Sequence, residues 1–96
     1  MGLFKDKWTA EYGNHKIEIS AKTGAVNNTY SFEIDGKFTD SSASIPLISV
    51  GQYEMHGLIQ EGGIDKPVKV LINQGLVSTN AELYVSGNRI PIRRIK

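Results

Sequence analysis

The chain has no cysteine, and only two histidines, three prolines and one tryptophan, in 96 residues. Without cysteine there can be no disulfide, no thiolate zinc site and no cysteine nucleophile. Packing and hydrogen bonding alone must hold the fold. No run approaches the roughly 20 apolar residues of a membrane-spanning helix, and the opening MGLFKDKW lacks the apolar stretch of a secretory signal. A soluble cytoplasmic protein with one domain over residues 1–96 is the expectation. No window of eleven or more residues carries a 3.6-residue apolar period, so helices are not expected either.

Catalytic chemistry is equally sparse. There is no Gly-x-Ser-x-Gly elbow, and Gly62-Gly63 lacks the Lys-Ser/Thr of a phosphate loop. Ser41, Ser42 and Ser44 fall in a polar stretch, Asp40 to Ser44, that reads as a loop with no base nearby in sequence to activate them. Glu54-x-His56 puts two potential metal ligands on one face of a strand, but nothing marks the third that a metal would need. The other histidine, His15, falls beside Tyr12 near a turn. The residues therefore name no catalytic group, no cofactor and no metal, and a non-enzyme is expected.

The net charge of +1 conceals an imbalance along the chain. Residues 1–65 hold five lysines against nine Asp or Glu, whereas residues 66–96 hold six Lys or Arg against Glu82 alone. Most of that positive charge is in Arg89, Arg93, Arg94 and Lys96. A charged closing strand that blocks edge-to-edge pairing is one reading of it; a phosphate-binding patch is the other.

What the sequence does contain is alternation. In Trp8 to Ile19, WTAEYGNHKIEI, a two-residue turn at Gly13-Asn14 sets Tyr12 against His15, Ala10 against Ile17 and Trp8 against Ile19 on the buried side. Glu11 with Lys16 and Thr9 with Glu18 then share the wet side. Tyr30, Phe32 and Ile34 alternate in the next strand. A three-residue loop, Ile34-Asp35-Gly36, is expected to follow, pairing Phe32 with Phe38 and requiring positive φ at Gly36. Beyond it, Ile45 to Val50 forms a short apolar run whose strand, because Pro46 cannot donate to a ladder, is an edge or begins after the proline. Gln52 to Gln60 alternates, with a bulge expected at Gly57, and Val68, Val70 and Ile72 resume the period. Ala81, Leu83, Val85, Ile90 and Ile92 share one face of a last hairpin around Ser86-Gly87-Asn88. There Ile90 to Ile95 reads as the returning strand, with Arg93 guarding it near Glu82. Segments 15–38 and 67–90 repeat the order strand, Gly-containing loop, strand, turn. Some eight or nine short strands with turn signals about every 8–12 residues specify an all-β, antiparallel β-sandwich or partly open barrel built from hairpins.

Trp8, the run Gly13-x-His15-Lys16-Ile17-Glu18-Ile19 and the turn Ile34-Asp35-Gly36-Lys37 resemble the opening of the Fas apoptotic inhibitory molecule (FAIM) family. Val50-Gly51-Gln52-Tyr53 and Glu82 to Asn88 resemble later turns of that family. The resemblance implies a β-sandwich without enzymatic activity that works through protein contacts. Two functions are weighed. One is a protein-interaction module, monomeric or weakly dimeric, that contacts an unknown protein partner through a sheet edge or end loops. The other is a single-strand nucleic-acid binder on a small barrel, using an interaction patch of Tyr84, Arg89, Arg93 and Arg94 with Lys69. The predominantly acidic first two thirds of the chain favour the protein partner.

Overall fold

A computed structural model describes residues 2–24, 27–44, 51–75 and 78–95. Nine strands run in order: β1 (Gly2–Tyr12), β2 (His15–Gly24), β3 (Asn28–Ile34), β4 (Lys37–Ser44), β5 (Gly51–Glu61), β6 (Ile64–Gln74), β7 (Thr79–Val85), β8 (Asn88–Ile90) and β9 (Arg93–Arg94). They form two antiparallel sheets, ordered β4-β3-β2-β1-β9 and β5-β6-β7-β8, that are not closed into a barrel. Each sheet is a four-strand meander, with β9 returning to the free side of β1. The internal repeat falls on β2–β4 and β6–β8, the same three strands of each meander. Among the described residues no helix is long and apolar enough to cross a membrane.

The first hairpin has the register that its sequence dictates. Trp8 faces Ile19, Ala10 faces Ile17 and Tyr12 faces His15. Trp8, Ala10, Ile17, Ile19, Ala21, Tyr30 and Phe32 of the first sheet pack on Met55, Ile59, Val68, Val70, Ile72, Ala81, Leu83 and Val85 of the second. Burial of these apolar faces, at about 25 cal/mol per Å² removed from water, is the main force joining the sheets. At one end of this core a polar layer takes over. The Tyr30 hydroxyl and Thr79 Oγ1 both donate to Gln74 Oε1, at 2.8 and 3.0 Å.

Four local expectations are corrected. The β3–β4 turn has two residues, Asp35 and Gly36, both with positive φ (54° and 80°), which is the type I′ requirement. Ile34 therefore pairs with Lys37 and Glu33 with Phe38, and an extra residue, Thr39, lets Phe32 face Asp40. A bulge restores the register that the turn alone would have mixed, and Phe38 ends on the outer face. Asp40–Ser44 is strand rather than loop, because β4 is an edge whose inner side meets polar groups instead of core. No bulge occurs at Gly57, where β5 pairs with β6 without a shift from Gly51 to Glu61. The last hairpin turns at Ser86-Gly87 and ends at Ile90; the chain then leaves that sheet, and Arg93 and Arg94 pair with Thr9 and Trp8 of β1. In continued register Pro91 would face Glu11, and having no N–H it cannot extend the ladder. Arg93 is thus remote from Glu82 in the pairing. The Ile45–Val50 run with Pro46 lies outside the described residues.

Candidate functional site: the seam between β4 and β5

Strand β5 is an edge of the second sheet, and the hairpin geometry sets which of its backbone groups are free. Glu61 and Ile64 flank a two-residue turn, so the odd-numbered residues of β5 bond to β6 and the even-numbered ones point away from it. Of these, His56 is occupied: its N–H donates to Asp40 Oδ2 of β4 at 2.9 Å. A side-chain carboxylate here substitutes for the carbonyl of a neighbouring strand. The next two outward positions, Leu58 and Gln60, open into a groove of about 430 Å³. Ile34, Lys37 and Thr39 line its other wall, and His15 and Asp35 close its end.

The two sheets come close at the inner end of this seam. A Cβ on Gly57 would lie 3.1 Å from Phe32 Cζ and would collide with the Thr39 methyl group. Glycine is favoured there by proximity, since any side chain must push against the Thr39 methyl group and the Phe32 ring. Toward the turns the seam widens and apolar side chains become exposed. Phe38 is 66%, Leu58 59% and Ile64 63% exposed, and all three stand within a few residues of a hairpin turn at that end.

Polar contacts tie the turns together. Asp35 Oδ1 accepts the Lys16 N–H at 2.9 Å and Oδ2 lies 2.7 Å from His15 Nδ1, so the β3–β4 turn is latched to the first hairpin. Lys66 Nζ donates to Glu61 Oε1 (2.9 Å) and to the Tyr12 hydroxyl (3.1 Å), which latches the β5–β6 turn to β1. These contacts hold Asp35 below its ordinary pKa, chiefly through the Lys16 N–H and then His15. Asp40 is lowered by the N–H groups of His56 and Ser41, and Glu61 by Lys66. A carboxyl with a depressed folded pKa contributes stability above its unfolded pKa, near 4, and loses it as pH falls through the folded value. The thermal midpoint is therefore expected to be flat above about pH 5 and to drop from about pH 4 downward. Asp40→Asn, which keeps an acceptor for His56 but cannot titrate, should flatten that acid limb; an unchanged limb in Asp40→Asn and Asp35→Asn alike would contradict the assignment.

Of the basic patch, Tyr84, Arg89 and Lys69 come together on the second sheet, whereas Arg93 and Arg94 do not join them. Tyr84 lies on the outer face of the second sheet, its ring 5.1 Å from Lys69 Nζ and its hydroxyl donating to Glu82 at 2.5 Å. Asn73 also donates to Glu82, and the Tyr84 hydroxyl is the largest influence holding that carboxyl low. Arg89 is opposite Tyr84 on β8. Arg93 and Arg94 belong to the other sheet. Arg94 donates to Asp6 at 2.6 Å and to the Thr79 carbonyl at 2.9 Å, and lies over the Trp8 ring. It joins the two sheets on the side opposite the seam.

His56 is exposed beside Glu54, 3.6 Å away, and among the described residues no group of three or more His, Asp or Glu side chains is placed to hold a metal ion. The sequence reading missed Asp40, because a carboxylate that caps a backbone N–H sixteen residues ahead leaves no periodic trace. It found His15 and Asp35 separately, as parts of two turns, without a signal that the turns meet. No known protein family, characterised protein or solved structure matches this chain.

Proposed function

We propose that this domain is a non-enzymatic protein-interaction module that receives an extended segment of its partner along the free edge of β5, in the seam between β4 and β5. The observation that carries the reading is the Asp40 carboxylate on the His56 N–H. The fold itself uses β5 as a hydrogen-bonding template there, and leaves the adjacent outward positions, Leu58 and Gln60, facing a groove. Strand addition would give such a segment main-chain hydrogen bonds, with alternate side chains contacting the groove walls. The resemblance of residues 8–38 to the FAIM family points the same way, toward a sandwich working through protein contacts, and the cysteine-free composition suits a reducing, cytoplasmic setting. The nucleic-acid reading would need Arg93 and Arg94 beside Tyr84, but both lie in the other sheet, and Arg94 is already engaged within the fold.

Leu58→Asp and Gln60→Pro test the reading. Leu58 is exposed and Gln60 presents its N–H to the open edge, where proline is tolerated, so both variants should fold. A partner retained by the immobilised wild-type protein from its own cell lysate should bind each variant at least about tenfold more weakly, the scale of a central interface residue. Undiminished retention by both variants would refute docking in the seam.

A further inference from the structure

We propose that Asp35 is a latent site of isoaspartate formation, and that the two hydrogen bonds on its carboxylate keep it unreacted while the β3–β4 turn is latched. Four aspartates occur in the chain, and Asp35 alone precedes a glycine; no asparagine does. In this reaction the Gly36 nitrogen attacks Asp35 Cγ, the Cγ–OH bond breaks, and the hydroxyl leaves with the amide proton as water, closing a five-membered succinimide. Water then adds to either ring carbonyl. Addition at Cγ restores aspartate, whereas addition at the Asp35 main-chain carbonyl carbon leaves the chain running through Cγ, with one more carbon in the backbone. Water is the only co-reactant, and nothing is oxidised or reduced.

The turn offers this reaction room and water. A Cβ on Gly36 would meet nothing within 4 Å, so the ring closes without crowding. Asp35 and Gly36 lie beyond the last ladder pair, Ile34 with Lys37, whereas Asp6, Asp40 and Asp65 are all paired within strands. The Asp35 side chain is 43% exposed, so water reaches it. What withholds the reaction is the latch. Oδ1 accepts the Lys16 N–H at 2.9 Å, Oδ2 lies 2.7 Å from His15 Nδ1, and the Asp35 N–H donates back to the Lys16 carbonyl at 2.8 Å. A carboxylate held as an anion by two donors is a poor electrophile, and both bonds must break before Cγ swings over the Gly36 nitrogen. The same bonds hold the carboxyl below its ordinary pKa, so the protonated form that the reaction consumes is scarce. Once formed, isoaspartate has one backbone atom too many for a two-residue type I′ turn. Conversion therefore frees the β3–β4 turn from the first hairpin and does not let it return.

The test follows the full chain in neutral buffer at physiological temperature, folded and, separately, in denaturing guanidinium chloride. The tryptic peptide 23–37 is sampled over time and its isoaspartate read by electron-transfer fragmentation in the mass spectrometer. In the denatured chain isoaspartate should accumulate at Asp35 and at no other aspartate. The folded protein should convert at least about tenfold more slowly, the factor that a hydrogen bond to a charged group supplies. His15→Ala and His15→Phe both remove the donor, the second while keeping a ring, and Trp8 fluorescence checks that each is folded. Each folded variant should convert at least about threefold faster than folded wild type, an exposed contact contributing less than a buried one. No isoaspartate at Asp35 in the denatured chain would overturn the site. Equal rates in folded and denatured wild type, or in folded wild type and either folded variant, would overturn the latch as what protects it.

Discussion

Phe32→Ala is expected to lower the unfolding free energy by about 3–5 kcal/mol, the cost of truncating a fully buried aromatic ring and leaving the space unfilled. Phe32 has no exposed surface and lies at the centre of the first sheet's inner face, paired with Ile19 on one side and Asp40 on the other. Its ring lies against Gly57 of β5, so the void would open between the sheets. Against a total stability of about 5–15 kcal/mol for a domain of this kind, such a loss is large. Urea unfolding followed by Trp8 fluorescence would measure it. A loss below about 1 kcal/mol would mean that Phe32 does not bridge the two sheets.

Gly57→Val is expected to cost about 1–3 kcal/mol through overpacking, although Gly57 has no unusual backbone conformation. The added Cβ meets the Phe32 ring at 3.1 Å and the Thr39 methyl group, so β4 and β5 must separate or the ring must move. The cause can be isolated by a double-mutant cycle. In a Phe32→Leu background the smaller side chain makes room, and Gly57→Val should cost less by at least about 0.5 kcal/mol, the coupling expected of residues in contact. Strict additivity would place the strain elsewhere, in the β5–β6 pairing for example.

The parts of the fold that could be read from the sequence are those in which a local signal and a long-range one coincide. Gly13-Asn14 fixed the register of the first hairpin because the turn and the alternation of Trp8, Ala10, Ile17 and Ile19 agree, and the buried face follows from it. At Asp35-Gly36 they conflict: the turn chemistry asks for two residues and the alternation for three. The chain satisfies the turn first and absorbs the mismatch in a bulge at Thr39, leaving Phe38 in water. Alternation also fails on β4, whose inward Asp40 and Ser42 lie at a sheet edge, and at the end of the core, where Asn28, Gln74 and Thr79 are buried polar residues. The change of sheet at Pro91 carries one local cue, the missing N–H, but its destination beside Trp8 and Thr9 is set by tertiary packing alone.

The same distinction explains the candidate site. The exposed Leu58 and the free outward positions of β5 follow from strand parity and could be inferred once β5 was known to be an edge. Which strand lies across the seam depends on the relative placement of two meanders, and no residue pattern within either one encodes it. The hydrogen bond of Asp40 to His56 and the close approach of Thr39 to Gly57 across the seam reveal it.

Amide hydrogen exchange along β5, with and without the bound partner, tests the central claim most directly. In the free protein the odd-numbered amides, Met55, Gly57 and Ile59, should be protected by β6, and His56 by Asp40, while those of Leu58 and Gln60 exchange rapidly. On binding, protection should rise at Leu58 and Gln60 and stay unchanged at Gly57 and Ile59, because only an added strand on the outer edge engages even positions selectively. Protection that rises instead on β8 and β9, around Arg89 and Arg93, with Leu58 and Gln60 still exchanging rapidly, would contradict the account.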